Sequence, residues 1–389
     1  MAKKRTIDDI ARLAGVSKTT VSRVLNHRSD VDPITRERVL RVIREQNYVP
    51  SATAAGLAGG RSRLIGMLIP DWAWQFIQEL TRGIIEVMKQ TPYELVLYSI
   101  NDEDVERDRS EVINRLLATE LTAGLLAIFP GRVSEHLTRL SRQGFPVVII
   151  DDQVAQTTPW VSANNVMGAY EAVRHLIQLG HRRIAHIQGP QEYLVSHDRH
   201  RGYCQALLEA GITPDPELLL VGDFLPPSGR TCASKLFELP LEKRPTAIFA
   251  SSDQMAYGVL AAAEEYSIAI PRDIALVGFD DDIPSAHTRP ALTTVRQPLY
   301  EMGQRGIELL LSMLEKPLNP SYSHWIAWQT GVVATGKAGE EGEQRKAAQA
   351  VHIQLPTRLI VRASCGANYG ISPRPVSMQE NERGHMQEY

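Results

Sequence analysis

Apolar residues recur along this chain of 389 residues at two different spacings, and the change falls near residue 63. Up to that point they recur every three or four residues, the spacing of amphipathic helices. They form three short groups there: Ile7, Ile10, Leu13 and Ala14; Val21, Val24 and Leu25; Val39, Val42 and Ile43. Beyond residue 63, short apolar runs alternate with longer amphipathic stretches. The pattern predicts a small helical domain followed by a larger region of alternating strands and helices.

Polar residues and a glycine mark the ends of the three predicted helices. Thr6, three residues before Asp9, is typical of a helix N-cap with an acidic first turn. Gly15 can adopt the positive φ that ends this helix and turns the chain, and Ser17 can cap the second helix. Asp32, followed by a proline, begins the third helix. Two helices joined by so short a turn predict a helix-turn-helix, whose second helix can enter the major groove of DNA.

Outside its buried stripe, the second helix presents a polar face: Lys18, Thr19, Ser22, Arg23 and Asn26. The distribution of charge supports contact between this face and DNA. Residues 1–63 contain 13 lysines and arginines and 6 acidic residues, a net charge of +7, which leaves −10 for the rest of a chain whose total is −3. Because lysine and arginine displace counterions from phosphates, a basic head on an acidic body is typical of a DNA-binding protein.

Eight short apolar runs predict strands in the larger region: residues 64–69, 95–99, 124–129, 147–151, 183–188, 218–224, 247–251 and 274–279. Predicted helices between them include residues 76–90, 107–117, 166–179 and 254–265. This alternation is typical of parallel sheets covered by helices, and so many strands indicate two doubly wound lobes rather than one sheet. Ligands of such folds bind beyond the carboxyl ends of the strands, here in the cleft between the lobes.

Three segments depart from this pattern. Residues 50–60 are small and weakly helical, typical of a linker that can become a short hinge helix. Residues 319–350 contain a long polar run and are interpreted as a partly disordered insertion. Residues 367–389 form a polar tail without the leucine repeat of a coiled coil. We therefore predict a DNA-binding head at 1–49, the hinge segment, and a ligand-binding and dimerisation core at 61–366.

Composition narrows the class of protein further. Three widely spaced cysteines do not form a disulfide framework, and no run approaches the roughly 18 apolar residues of a membrane span. The basic N-terminus lacks the apolar stretch of a secretory signal, so we expect a cytoplasmic protein without membrane contact. The histidines and cysteines lack zinc-site spacing, and neither a nucleotide-binding loop nor a nucleophile elbow is present. We expect neither an enzyme nor a bound cofactor or metal.

Several ordered motifs resemble those of the lactose/galactose-repressor family of bacterial transcription regulators. They are residues 6–17 (TIDDIARLAGVS), 20–26 (TVSRVLN), 179–184 (LGHRRI), 277–281 (VGFDD), 296–303 (RQPLYEMG) and 355–362 (LPTRLIVR), with Arg199 three residues before Gly202. Each motif alone is weak, but together they cover the chain from about residue 5 to 318 and again from 351 to 366. The resemblance implies a homodimer with a DNA-binding head, a hinge helix and a two-lobed core similar to periplasmic sugar-binding proteins.

The resemblance also assigns DNA contacts, position by position. It places Lys18, Thr19 and Arg23 against base edges in the major groove, where an arginine can bind guanine bidentately. It places Ser17, Thr20, Ser22 and Asn26 against phosphates, which fix the register of the protein on DNA. Leu57 corresponds to the hinge leucine that wedges into the minor groove and kinks the operator. Ala55 stands where many relatives carry a basic residue.

The family's effector contacts fall in both predicted lobes. In the first lobe they are Asp71, Trp72, Trp74 and Phe76, although the usual Asn-Pro-Phe-Phe is replaced here by residues 74–77 (WQFI). In the second lobe they are Arg199, Asp280, Phe224 and Asp253. An arginine and a carboxylate can bind hydroxyl groups, and aromatic faces can stack on a ring. A purely structural role is the alternative for each residue, since the aromatic side chains can belong to the hydrophobic core and Asp280 can cap a turn.

These observations predict a repressor that binds a near-palindromic operator as a homodimer and responds to a small ligand, a sugar or sugar derivative. One alternative keeps the regulator but makes it an activator or a repressor that requires a corepressor. A second alternative is a solute-binding protein for sugar uptake, or a sugar-processing enzyme on a similar core. The basic head and the missing secretory signal count against this second alternative.

Overall fold

The computed structural model describes residues 5–25, 28, 30–46, 48, 62–70, 77–100, 122–128, 134–151, 157–314 and 350–367. The chain divides into two compact units, one formed mainly by residues up to Arg63 and the other mainly by residues from Leu64 onward. The first unit contains helices α1 (Ile7–Ala14), α2 (Lys18–Leu25) and α3 (Pro33–Glu45). These bounds agree with the helices predicted from the apolar spacing.

The ends of these helices confirm the predicted capping. The Thr6 hydroxyl accepts a hydrogen bond from the Asp9 N–H, and the Asp9 carboxylate accepts one from the Thr6 N–H, which completes a capping box. Gly15 ends α1 with φ +65°, and the Asp32 carboxylate caps α3. Inside the unit, a small core of buried side chains holds the three helices together: Ile10, Ala11, Ala14, Val21, Val24, Val31 and Val39.

The second unit contains two parallel sheets and a short antiparallel pair. Its strands are β1 (Leu64–Pro70), β2 (Glu94–Ile100), β3 (Gly124–Ile128), β4 (Val147–Ile150), β5 (Trp160–Ala163), β6 (Ile184–Gln188), β7 (Leu219–Val221), β8 (Ala247–Ala250), β9 (Ala275–Val277), β10 (Thr294–Arg296), β11 (His352–Leu355) and β12 (Arg358–Ile360). Its helices are α4 (Ile77–Met88), α5 (Ser134–Arg142), α6 (Asn165–Gln178), α7 (Leu194–Glu209), α8 (Pro226–Phe237), α9 (Asp253–Glu265) and α10 (Leu299–Leu314).

The sheets define two lobes, which confirms the predicted α/β class. The first lobe has a six-stranded sheet in the order β11-β5-β4-β3-β1-β2, and the second has a four-stranded sheet in the order β7-β6-β8-β9. Every pairing within these two sheets is parallel. Helices α4 and α10 pack together in the first lobe, whereas α6 packs on α7 and α8 packs on α9 in the second.

Within the described residues, the chain crosses between the lobes at three places. It passes from β5 into α6, from β10 into α10, and from β11 into β12. Strands β10 and β12 pair with each other, and the Asn164 N–H donates to the carbonyl oxygen of Leu355. The crossings therefore run side by side, which places residues from distant parts of the sequence at one junction.

Several details differ from the predicted elements. Strands β5, β10, β11 and β12 were not predicted, because runs of three or four residues carry little periodic signal. The predicted strand at 218–224 ends at Val221, since Phe224 adopts a left-handed φ of +69° just before the prolines that open α8. The predicted helix at 107–117, the tail beyond residue 367 and the insertion at 319–350, except its last residue, lie outside the described residues.

Candidate functional site

In the first unit, α2 presents the polar face that was predicted to contact DNA. Ser17, Lys18, Thr19 and Arg23 are exposed, whereas Val21 and Val24 on the other side are buried. The Ser17 hydroxyl accepts a hydrogen bond from the backbone N–H of a half-buried threonine, Thr20, at 3.1 Å. Ser22 is also half-buried, while Asn26 and Leu57 lie outside the described residues.

The two cations of this face form exposed ion pairs. Lys18 Nζ lies 3.3 Å from a carboxylate oxygen of Asp8, and an Arg23 guanidinium nitrogen lies 3.5 Å from Asp30. All four side chains are more than half exposed. Because exposed ion pairs contribute little to stability, both cations can exchange these partners for a phosphate or a base edge.

In the second unit, Arg199 is the centre of a buried hydrogen-bond network. Its side chain is 3% exposed and projects from α7. Its Nε donates to Asn165 Oδ1 at 2.9 Å, and one terminal nitrogen donates to the carbonyl oxygen of Ser251 and lies 3.5 Å from Asp280. The guanidinium also stacks over the ring of Phe279, with its central carbon 3.8 Å from the ring centroid. Arg199 is therefore fixed on several sides.

Asp280 and Asp151 extend this network in opposite directions. Asp280 Oδ1 accepts a hydrogen bond from the Gln297 side-chain amide at 2.7 Å, at the crossing between β10 and α10. Asp151 follows β4 of the first lobe, and its Oδ1 accepts hydrogen bonds from Ser162 and Asn165 at 3.1 and 3.2 Å. The Arg199 network, as we call Asp151, Asn165, Arg199, Ser251, Asp280 and Gln297, thus joins both lobes at the carboxyl ends of their strands.

Burial dominates the electrostatics of the two carboxyl groups. It raises the pKa of Asp280 to about 8, although the neighbouring Arg199 acts in the opposite direction. Burial also raises the pKa of Asp151, again against the effect of Arg199 and of the donors from Ser162 and Asn165. These carboxyl groups therefore take up protons at a higher pH than exposed aspartates do.

Several buried polar atoms at this junction have no hydrogen-bond partner within the described residues: Asp151 Oδ2, Ser196 Oγ, Ser251 Oγ and Gln297 Oε1. Ser196 lies one helical turn before Arg199 on α7 and is fully buried. A buried polar atom without a partner costs about 1–3 kcal/mol, so such atoms require an explanation. Since three of the four belong to the Arg199 network and the fourth precedes Arg199 by one turn, they mark a place where a polar ligand can be held.

Aromatic side chains lie beside the network. The Phe224 ring centroid is 6.0 Å from the Arg199 guanidinium carbon and 6.2 Å from the ring of Tyr193. Phe224 is 6% exposed. The predicted contacts of the first lobe, which are Asp71, Trp72, Trp74 and Phe76, lie outside the described residues. Of the second-lobe candidates, the structure brings Arg199, Asp280 and Phe224 together.

Asp253 lies near this cluster, but its carboxylate is occupied by the chain itself. It is fully buried and accepts hydrogen bonds from the hydroxyls of Ser285 and Thr294, both at 2.5 Å, and from the Asp282 N–H at 2.9 Å. Burial, with help from the nearby Asp280 and Asp282, raises its pKa well above the ordinary value. Its carboxylate oxygens therefore connect segments of the protein and are not free to bind a ligand.

Sequence reasoning missed Asp151, Asn165, Ser196, Ser251 and Gln297. A signal for two of them was available, because Asp151 and Ser251 are the last residues of the predicted runs at 147–151 and 247–251, and ligands bind beyond the ends of such strands. Among the described residues, no group of three or more histidine, cysteine, aspartate or glutamate side chains is arranged to hold a metal ion. None of the described helices is long and apolar enough to cross a membrane.

Comparison with known proteins relates both units to regulators of transcription. Residues 6–51 match the family described as bacterial regulatory proteins, lacI family, and residues 173–331 match a periplasmic binding protein-like domain. The chain is 34% identical to catabolite control protein A of Priestia megaterium over 313 residues, which covers 80% of this chain and 93% of that protein. It is also 34% identical to the HTH-type transcriptional repressor CytR of Escherichia coli (strain K12), covering 80% of this chain and 90% of that protein.

Comparison with a solved structure shows that the similarity includes the fold. The lac repressor dimer bound to operator and the anti-inducer ONPF matches with a TM-score of 0.73 and 27% sequence identity, covering 93% of this chain and 99% of that one. This chain therefore belongs to the lacI family of bacterial regulatory proteins, as its motifs predicted. It is a DNA-binding transcriptional regulator with a helix-turn-helix head and a periplasmic-binding-protein-like unit.

Proposed function

We propose that this protein is a repressor that binds a near-palindromic operator as a homodimer in the cytoplasm. In this proposal its second unit binds a small ligand and catalyses no reaction. Lys18, Thr19 and Arg23 read base edges, while Ser17, Thr20, Ser22 and Asn26 bind phosphates, and Leu57 wedges into the minor groove. The exposed polar face of α2, opposite a buried apolar stripe, supports this assignment for the described residues.

The unpartnered atoms of the Arg199 network carry the proposal for the ligand. Asp151 Oδ2, when ionised, and Gln297 Oε1 are hydrogen-bond acceptors, and the Ser196 and Ser251 hydroxyls can both donate and accept. Arg199, the cation of the network, already donates to groups of the protein. A phosphate or carboxylate brings mainly further acceptors, whereas a polyhydroxylated ring brings several donors. The effector that fits is a neutral sugar or sugar derivative, its ring placed near Phe224.

The remaining first-lobe candidates complete the proposed pocket. Asp71, Trp72, Trp74 and Phe76 follow β1, a central strand of the first sheet, in the sequence. An aspartate and three aromatic side chains after such a strand suit the hydroxyl groups and the apolar faces of a sugar. In this proposal the ligand is bound between these residues and the Arg199 network.

Selection of bound sequences from random duplex DNA tests the proposal. The purified full-length protein is used at fixed salt, alone and with matched pairs such as D-ribose and ribose 5-phosphate, or D-glucose and glucose 6-phosphate. Enrichment of a palindrome that is released by a neutral sugar, and not by its phosphate, supports the proposal. Tightening by the sugar instead identifies a corepressor. Failure to enrich any sequence, or release by the phosphate alone, would contradict it.

Replacing Arg23 with alanine is expected to relax operator specificity by roughly 5- to 150-fold, the equivalent of about 1–3 kcal/mol for one bidentate base contact. Among the described residues, the exposed guanidinium has only Asp30 as an ion-pair partner, so its removal is expected to leave the head folded. The measurement is the ratio of affinities for the operator and for a scrambled duplex at constant salt. Arg38→Ala, an exposed position on α3, serves as the control. An unchanged ratio in Arg23→Ala would rule out the assigned role.

The affinity for the effector is expected to fall as the pH is lowered from 8.5 to 6.5. The pKa of Asp280 is raised to about 8, so below that pH the free protein holds a proton on this carboxyl. A ligand hydroxyl donates best to the ionised form, and binding must then release the proton. The affinity therefore falls by at most tenfold per pH unit, or by about ten- to thirtyfold between pH 8.5 and 6.5. Calorimetric titration in buffers of different ionisation enthalpy measures both the Kd and the proton release.

Asp280→Asn is the matched variant for this experiment. It is expected to bind the effector more weakly at pH 8.5 and to lose the part of the pH dependence that Asp280 contributes, because the amide does not titrate. A Kd that is independent of pH in the parent protein, or that improves on acidification, would show that Asp280 does not accept a hydrogen bond from the ligand.

A further inference from the structure

The carboxylate of Asp253 ties together three segments that are distant in sequence. Asp253 is the first residue of α9 and is fully buried. Its Oδ1 accepts a hydrogen bond from Thr294 Oγ1 in β10, and its Oδ2 accepts from Ser285 Oγ and from the Asp282 N–H in the loop after β9. Its own N–H donates to the carbonyl oxygen of Phe279 at 2.6 Å. Helix, loop and crossing strand therefore meet at one side chain.

The segments held in this way carry residues of the Arg199 network. The loop after β9 contains Asp280, and β10 leads directly into Gln297, whose side chain donates to Asp280. The Asp280 N–H donates to the carbonyl oxygen of Val295 in β10, which places the loop and the strand in register. Any movement of the loop or of β10 therefore moves Asp280 and Gln297, which lie at the proposed effector site.

The loop also needs such a restraint because of its backbone conformation. Asp280 and Asp281 are non-glycine residues with φ of +119° and +61°, outside the broadly allowed regions. Such residues are strained and persist only where their surroundings enforce the conformation. The Asp281 carboxylate is bound by Arg296 and Arg362, and the neighbouring Asp282 N–H by Asp253. The strained conformation of Asp280 and Asp281 is thus restrained by the two arginines and by Asp253.

We propose that Asp253 is a positioning residue of the effector site: its carboxylate holds the Asp280 loop and the β10 crossing in the arrangement that binds ligand, without touching the ligand itself. The inference rests on the proposed function only in taking Asp280 and Gln297 as ligand-binding groups. It replaces the expectation, drawn from the family resemblance, that Asp253 binds the effector directly. Both of its oxygens already accept hydrogen bonds from the protein, and the side chain has no exposed surface.

Hydrogen–deuterium exchange of the full-length protein tests the restraint without any ligand. Asp253→Ala is expected to accelerate amide exchange at least tenfold in residues 280–285 and 295–297, because the loop and the crossing strand lose their common anchor. Strands β6 and β8 are expected to retain their protection. Thr294→Val removes one donor, leaves Asp253 in place, and is expected to accelerate the same two segments. Asp253→Asn keeps an acceptor for Ser285 and Asp282 and is expected to restore most of the protection.

A second measurement connects the restraint to the effector. With a sugar found in the operator-release experiment, Asp253→Ala and Thr294→Val are expected to raise the Kd at least tenfold. Asp215→Asn is the matched control, since it also alters an aspartate of the second lobe, one that caps a short helix and pairs with Arg183 at 3.3 Å. The Asp215→Asn variant is expected to be less stable than the parent protein but to bind the sugar with an unchanged Kd.

The outcomes separate this inference from the proposed function. Unchanged exchange in residues 280–285 in both Asp253→Ala and Thr294→Val would overturn the inference, whatever the effector is. Equal acceleration in β6, β8 and the loop in both variants would also overturn it, because it would show loss of overall stability instead. Local acceleration supports the inference even if none of the sugars tested releases operator, a result that would count against the proposed ligand alone.

Discussion

Replacing Arg199 with methionine is expected to lower the free energy of unfolding of the second unit by about 3–5 kcal/mol at pH 8.5, where Asp280 is ionised, the cost of removing one partner of a buried ion pair. Methionine matches the apolar volume of the side chain but donates no hydrogen bond. Asn165 Oδ1, the Ser251 carbonyl oxygen and Asp280 would each lose a donor at a buried position. The stacking of the guanidinium on Phe279 would disappear as well. The same change is expected to abolish the response to effector.

Arg201 provides a close control for this prediction. It lies two residues further along α7, and it forms an ion pair with Asp198 at 3.2 Å while its side chain is 68% exposed. The Asp198 side chain is buried, but water screens the exposed guanidinium of Arg201, so Arg201→Met is expected to cost clearly less stability than Arg199→Met and to leave the effector response intact. Urea unfolding with matched m-values provides the comparison. Equal losses in the two variants would show that the Arg199 network does not stabilise the unit.

The difference in burial and hydrogen bonding between Arg199 and Arg201 could not be predicted from their positions in the sequence. Both lie on one helix, and the family motif singled out Arg199 by position. Its partners Asn165, Ser251 and Asp280 come from three other elements, and only the folded chain brings them together. The same is true of Asp253, whose hydroxyl donors lie 32 and 41 residues further along the chain. A carboxylate at a helix start looks the same in sequence whether it binds a ligand or a neighbouring loop.

Local features were predicted with more success, since their causes lie within a few residues. The Thr6–Asp9 capping box, the left-handed Gly15 and the Asp32 cap each depend on contacts three or four residues apart, and all three are present. The apolar runs also identified every central strand of the two parallel sheets except β5. Strands β10 and β12, which pair with each other at the lobe crossing, were missed because their three residues show no recognisable alternation.

The packing of the first lobe depends on a close crossing of two helices. Gly83 of α4 and Gly303 of α10 face the opposite backbone: a Cβ at Gly83 would lie 2.0 Å from the carbonyl oxygen of Tyr300, and one at Gly303 would lie 2.1 Å from that of Leu80. Real Cβ contacts of this length with a backbone atom do not occur, so an added methyl group must separate the helices. Since α10 begins two residues after Gln297, a displaced helix would also disturb the proposed effector site.

Gly83→Ala and Gly303→Ala are therefore each expected to lower the free energy of unfolding by about 3 kcal/mol, the upper part of the usual range for an overpacked core. On an exposed helix face the same substitution stabilises by about 1 kcal/mol, because alanine is the better helix former, so the sign of the effect tests the crossing directly. Glu301→Ala, on the exposed side of α10, is the control and is expected to change stability by less than about 0.5 kcal/mol. Both glycine variants are also expected to bind effector more weakly, through displacement of Gln297. A glycine variant that unfolds at higher urea than the parent protein would show that α4 and α10 do not approach each other at these positions.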